Sequence, residues 1–198
     1  MTEPSSADAD ANALQLLQSV VEVARAIFGA AASSVFLLDR ATNELIFQAV
    51  AGQGEQSLVG TRFPADRGIA GWVAMSGDAM VVDDLASNTS FARDLAESTE
   101  YVPDSLMAAP LIYQDEVLGV LEVLDPVAQS RSDLAELDLL LLFAGQAATA
   151  LRMVLAQRSS RDADLAAAVR NVQQLAPSDR AAGVALFDAM RELLVAAS

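Results

Sequence analysis

The sequence contains no cysteine and no histidine, and all twelve of its basic residues are arginine, so lysine is missing as well. Each absence removes a chemistry. Without thiols there is no disulfide, no thiolate nucleophile and no thiolate-held metal. Without imidazole there is no histidine general base and no histidine-ligated metal or haem. Without lysine there is no Schiff base and no phosphate loop built around an ammonium group. What remains is Asp, Glu, Arg, Ser, Thr and Tyr, a set that serves a carboxylate-based hydrolase or an oxygen-ligated cation and little else. Positive charge is scarce too: twelve basic residues stand against 27 acidic ones, a net charge of −15. The summed field repels phosphate backbones and anionic headgroups, so neither nucleic acid nor a membrane surface is expected as a partner. The most apolar stretch, Leu137 to Ala156, is broken by Asp138, Gln146 and Arg152, each costly at a bilayer centre. Met1 to Asp10 is polar and acidic rather than a signal peptide, and the cytoplasm is the expected location.

What is present is apolar bulk. With 53% hydrophobic and 20% charged residues over 198 positions, the chain is expected to form one packed domain with an appendage. Residues 1–11 lack periodicity and read as a disordered tail. From Asn12, the positions Leu14, Leu17, Val21, Ala24 and Phe28 recur at spacings of three and four, an amphipathic helix that Gly29 closes. Strands are expected over 33–39 and 44–51 as a hairpin, then over 59–63 and 79–82. Between the last two, Arg67 to Gly77 reads as a short helix with Asp66 as its cap. Asp83 to Asp104 is a polar excursion with a helical patch over 91–101, and long excursions in compact domains generally carry a function. A second hairpin follows, Ser105 to Tyr113 and Glu116 to Leu124, turning at Gln114 and Asp115. A long helix then starts near Asp133 and reaches about Gln157, with Leu141, Ala144, Ala148, Leu151 and Leu155 at heptad spacing. The rest divides at Pro177 into two short helices. This order defines an antiparallel sheet with helices gathered on its faces, the α+β class.

The segment from Arg62 to Gly77 (RFPADRGIAGWVAMSG), Val81 to Leu85 (VVDDL), Ala109 to Ile112 (APLI) and Val117 to Leu124 (VLGVLEVL) together resemble a GAF domain over residues 12–158. The resemblance implies a six-stranded antiparallel sheet with the terminal helices packed on one face and a small-molecule pocket under the excursion on the other. Residues 159–198 lie outside it as a helical C-terminal extension. It also implies a sensory or regulatory module of signal transduction and not an enzyme. Bilin attachment in this family needs a cysteine and haem ligation a histidine, so neither cofactor is expected here. The pattern is nearest to cyclic-nucleotide-type GAF modules, whose ligand-contact positions fall on Ser34, Ile69, Ala70, Thr99 and Glu122. Their Asn-Lys pair, later Phe-Asp-Glu and Lys–Asp closure are replaced by Asp125-Pro126 and Asp133-Leu-Ala-Glu136, which breaks the signature.

Trp72 and Met107 are further candidates for the pocket wall, while Phe91 and Tyr101 either anchor the excursion or touch ligand. Glu122 alternates with Leu121 and Val123 and so faces away from them, toward pocket or toward solvent. Asp83 and Asp84 suit a turn cap or a cation ligand. Leu14, Leu17, Val21, Leu141, Ala144, Ala148, Leu151 and Leu155 are the expected homodimer interface, a four-helix bundle. Burying each such leucine contributes roughly 1.5–3 kcal/mol. The functional expectation is a cytoplasmic sensor that binds an unidentified small molecule non-covalently and signals through that bundle, with an effector protein in trans met by residues 159–198. The alternative is a ligand-free GAF-fold adaptor that dimerises and docks a partner through its C-terminal helices. No metal is expected.

Overall fold

The structure is a computed structural model and describes residues 6–53, 57–88, 92–98, 101–127 and 136–174. Ten elements follow one another: α1 (Ser6–Phe28), β1 (Ala32–Asp39), β2 (Glu44–Gly52), β3 (Arg62–Pro64), α2 (Gly68–Ser76), β4 (Met80–Val82), α3 (Arg93–Ser98), β5 (Leu106–Tyr113), β6 (Glu116–Leu124) and α4 (Glu136–Gln174). The six strands form one antiparallel sheet in the order β3-β2-β1-β6-β5-β4. The α+β sheet expected from sequence is therefore what forms. Helix α1 starts at Ser6, inside the stretch expected to be a tail, where alternating alanines supply helix propensity. Gly29 (φ 59) ends α1 and Gly77 (φ 75) ends α2 in the left-handed conformation of a helix C-terminus.

Both faces of the sheet are covered. On one, α1 and α4 pack Leu17, Val21, Ala24, Phe28, Leu140, Ala144, Ala147, Ala148, Leu151 and Val154 against Val35, Leu37, Ala49, Ala109, Leu121 and Val123. Phe28 meets Phe143 edge to face at 6.3 Å, and Arg152 of α4 lies over the Tyr113 ring at 6.0 Å. On the other, α2 and Leu85 close over Phe36, Leu38, Leu45, Phe47, Val50, Leu106 and Val120. The pleat puts alternate side chains on opposite faces, and two bulges adjust that parity. Opposite Val35 and Phe36, β2 has the extra residue Gln48, so Ile46 and Ala49 both face the helix pair while Phe47 and Val50 face α2. Opposite Leu111 and Ile112, β6 has the extra residue Leu118, with the same effect. The hairpin turn at Gln114 and Asp115 has both residues at positive φ (49° and 65°), the two-residue turn that matches strand twist.

The structure corrects three sequence expectations here. Most of the stripe assigned to a dimer interface, Leu17, Val21, Ala144, Ala148 and Leu151, is buried within the chain's own core, and Leu155 packs against it. A heptad seam looks the same whether its wall is a second chain or a sheet. Leu14 and Leu141 are exposed. Asp66 does not cap α2; Arg67 holds the cap position in extended geometry with no side-chain cap bond. Helix α4 does not stop near Gln157 but runs through Gln174. Its length and apolarity over 136–170 would suffice to cross a membrane, yet its inner face up to Val154 is core. The chain divides into two compact units at Leu155 and Ala156. In the second unit the described residues, 156–174, are helical. The remaining extension and the segment around Asp133 lie outside the described residues.

At Gly119 a β-carbon would sit 1.8 Å from the Phe36 carbonyl oxygen, backbone that cannot give way. Gly145, within α4, has nothing near its own β-carbon position. Gly119→Ala is expected to cost about 3 kcal/mol. Gly145→Ala is expected to gain about 0.5–1 kcal/mol. Urea titration of both variants checks the pair of opposite signs.

Candidate functional site

The face opposite the helix pair is not fully filled. Strands β1 and β6, the start of α2, and Ala92, Ala96, Tyr101 and Pro103 of the excursion enclose a cavity of about 90 Å³. Its floor is the α2-facing row of the central strands: Ala32, Ser34 and Phe36 of β1, Glu122 and Leu124 of β6, and Leu106 of β5. Register aligns these residues: Ser34 pairs with Glu122, which also pairs with Ala108. One wall is aromatic, with Phe36, Phe47 and Phe63 mutually in contact at centroid distances of 4.5–5.8 Å. The roof comes from Gly68, Ile69 and Ala70 of α2 and from Ala92, Ala96 and Tyr101.

Two bonded groups fasten the excursion over this floor. Arg67 donates from Nη2 to both carboxylate oxygens of Asp94 at 2.8 and 2.9 Å, joining the start of α2 to α3. Asp125, directly after β6, has φ 48 and accepts from the backbone N–H groups of Asp104 and Ser105, each at 2.9 Å, and from the Tyr101 hydroxyl. Burial, followed by the bond to Asp125, pushes the Tyr101 phenol up to about 12, so it remains a donor at neutral pH. Gly68 (φ 71) begins α2 in a left-handed conformation, and a β-carbon there would stand 3.3 Å from Ala92 Cβ. Glycine thus serves both the backbone and the close approach of the roof.

Within this enclosure Glu122 and Ser34 carry the chemistry. The Glu122 carboxyl is surrounded by protein and keeps access to the cavity space, and no hydrogen bond or ion pair reaches its side chain from the described residues. Desolvation raises it to about 7. The Ser34 hydroxyl, on a residue 5% exposed, likewise has no partner among the described residues. Polar groups in such surroundings are normally paired, and these two neighbours both face the one cavity. The start of α2 adds N–H groups that no side chain caps.

Of the expected pocket residues, Ser34, Ile69, Ala70, Tyr101 and Glu122 come together in this cavity. Met107 does not: the strand pleat turns it to the opposite face, where it is buried against the helix pair. Trp72 lies on the outer side of α2, 42% exposed and outside the cavity lining. Phe91 and Thr99 lie outside the described residues. Asp84 accepts from the N–H groups of Ala86 and Ser87, which makes it a turn cap. Among the described residues no group of three or more Asp, Glu, His or Cys is placed to hold a metal. The fasteners Arg67, Asp94 and Asp125 and the phenylalanine wall escape the sequence reading. The acid of Asp125-Pro126 was visible there only as a departure from a pattern.

An antiparallel sheet with a helix pair on one face and a roofed cavity on the other is the build of a small regulatory α+β module. The sequence profile described as "GAF domain" matches residues 12–151. The chain belongs to the GAF domain family, a family of sensory and regulatory modules in signalling proteins. Over 66 residues it is 36% identical to the cone cGMP-specific 3',5'-cyclic phosphodiesterase subunit alpha' of Mus musculus, covering 33% of this chain and 8% of that protein. The GAF domain of a phosphoenolpyruvate-protein phosphotransferase from Coxiella burnetii superposes with a TM-score of 0.65 at 20% identity, over 74% of this chain and 86% of that one. A methyl-accepting chemotaxis protein segment gives 0.59 at 24% identity, over 73% and 92%. These two likenesses show the fold.

Removing the Glu122 charge tests its environment. The folded state holds the proton of this carboxyl up to about pH 7, whereas an unfolded glutamate releases it near 4.5. The folded chain therefore binds more protons in that window, and wild-type stability falls relative to Glu122→Gln as pH rises from about 4.5 to about 7, then levels off. The plateau difference is on the order of 3 kcal/mol in favour of the glutamine variant. Urea titrations of both proteins from pH 4.5 to 8.5 measure it; a difference independent of pH contradicts a buried, unpaired carboxyl.

Proposed function

We propose that residues 12–158 form a cytoplasmic, non-catalytic sensor that takes up a small molecule reversibly beneath the 83–104 excursion and passes its occupancy to the helix pair. The observation that carries this reading is the Glu122–Ser34 pair, without partners among the described residues, in a largely apolar cavity. A ligand-free adaptor would gain stability by filling that space with apolar side chains; retaining a carboxylate there costs stability unless a ligand answers it. Family membership supports the regulatory role. Cyclic nucleotides belong among the candidate ligands because the mouse relative is a cGMP-specific enzyme, although this chain spans 8% of its length and the Asn-Lys and Phe-Asp-Glu signature is replaced here.

Output runs, on this reading, through a homodimer and an effector protein in trans. The apolar surface left after α1 and α4 cover the sheet lies one row outward from the stripe read in the sequence. Leu16, Val23 and Ile27 are exposed on α1 at i, i+7 and i+11, and Leu142 and Met153 on α4 at i and i+11, spacings that return to the same helix face. Pairing these rows between two chains makes a four-helix bundle in which each helix buries its inner side on its own sheet. In the second unit, Leu165 and Val169 stand exposed at i and i+4, a short stripe suited to a partner helix.

A thermal-shift screen over nucleotides, amino acids, keto acids, amines and metal ions tests the sensor. A ligand at 100 times its dissociation constant adds about 2.7 kcal/mol of stability. A screen without a hit favours the adaptor. Sedimentation equilibrium tests the bundle: a dimer at micromolar concentration is expected, and Leu16→Asp with Leu142→Asp is expected to leave a folded monomer. A monomeric wild type overturns it.

A further inference from the structure

We infer that the ligand of this cavity is a small protonated nitrogen base, held by ionised Glu122 with help from Ser34 and bound against the Phe36–Phe47–Phe63 wall; this rests on the sensor reading. Three observations select that class. First, the carboxyl and hydroxyl on the floor lack partners among the described residues, and an ionised carboxyl only accepts hydrogen bonds, so the group that completes it must donate. Second, the cationic side chain in the lining, Arg67, is already held by both oxygens of Asp94 and is half exposed, and the chain carries a net charge of −15. An anion therefore meets a carboxyl and an acidic field with no free guanidinium to receive it. Third, three phenylalanines line one wall, a surface that suits a planar apolar body carrying a delocalised cation. The uncapped first turn of α2 sits in the roof, where it would donate to an acceptor atom on the far side of such a base.

Binding is then coupled to proton release. The titratable groups in the lining are Glu122, Arg67 and Tyr101, and burial with the bond to Asp125 keeps the Tyr101 phenol protonated across the neutral range. Below about pH 7 the empty site holds Glu122 as the neutral acid. A cation that enters displaces that proton to solvent, leaving a carboxylate–cation pair; above about pH 7 the carboxylate is already formed and no proton is released. Affinity for a base that stays protonated therefore rises with pH and flattens above the Glu122 transition.

Benzamidine, benzamide and benzoate provide the test, being a cation, a neutral molecule and an anion on the same planar frame. By calorimetry with the full-length chain, benzamidine is expected to bind at least tenfold more tightly than either isostere at pH 8 and about tenfold more weakly at pH 6 than at pH 8. Heats at pH 6 should vary with the ionisation enthalpy of the buffer, with close to one proton released. Glu122→Gln, which preserves shape and removes the charge, should abolish the preference and the pH dependence, and Ser34→Ala should weaken benzamidine several-fold. Circular dichroism establishes that both variants are folded. Benzoate binding as tightly as benzamidine, a flat pH profile, a preference that survives in Glu122→Gln, or no benzamidine binding at all each overturns the assignment. If the wider screen finds an anionic or neutral ligand instead, the ligand class fails and the sensor stands. If it finds nothing, both fail.

Discussion

Nearly every other feature of this domain depends on one constraint, a sheet that has to be kept dry on both faces. The central strands β1, β6 and β5 have almost no residue that can face water: Val35, Phe36, Leu106, Met107, Ala108, Ala109, Val120 and Leu121 are all buried. A strand of that composition has no solvent side, so two layers must be supplied. The terminal helices supply one, with Ala24 of α1 and Ala144, Ala147 and Ala148 of α4 buried in that layer. The other layer comes from a nine-residue helix and an irregular excursion, which together have fewer large side chains to offer. The cavity is the shortfall of that second layer, placed where the small side chains of Ala32 and Ser34 leave room.

That constraint also explains why the roof is fastened by polar bonds. The Arg67–Asp94 pair of the excursion is largely solvent-exposed, a kind of bond that contributes modestly to stability. Asp125 makes the stronger attachment, because two backbone N–H groups and a phenol converge on one carboxylate. Fasteners of this type close a site without sealing it. Weakly held segments over a cavity open at a free-energy cost well below that of global unfolding, which is what reversible entry of a ligand requires.

The sequence reveals the elements far better than their neighbours. The β-branched and aromatic strand runs, the glycines at 29 and 77 and the two hairpin turns each follow from local chemistry, and all of them form where the local pattern places them. The wall a stripe packs against is not local information. Leu17, Val21 and Leu151 show a helical seam, and the same seam serves a second chain or a sheet equally well. Met107 and Glu122 pose the same question on strands. Alternation shows that each differs in facing from its chain neighbours, and only the pairing of β1, β5 and β6 decides which face is which. The bulge residues Gln48 and Leu118 sharpen the difficulty, since an extra residue inverts the parity of everything beyond it and leaves no mark in a continuously apolar run. Glu122 was legible as a residue out of place; its isolation in the cavity required the fold.

Strand β6 ties these pieces into one mechanical unit. Within four consecutive residues it presents Glu122 to the cavity, Val123 to the helix pair, Leu124 to the cavity again and Asp125 to the fastened excursion. Just beyond, the Val127 N–H donates to the Phe28 carbonyl at the end of α1, and the Leu124 carbonyl accepts from Ala31 at the start of β1. A charge formed or neutralised on Glu122 therefore acts on a strand whose next residues grip the roof and whose exit is bonded to the terminal helix. Because the pleat fixes alternate residues to opposite faces, a displacement of Glu122 cannot leave Val123 where it was without breaking the ladder to β1 and β5. Cavity floor and helix layer are thus one peptide unit apart along β6.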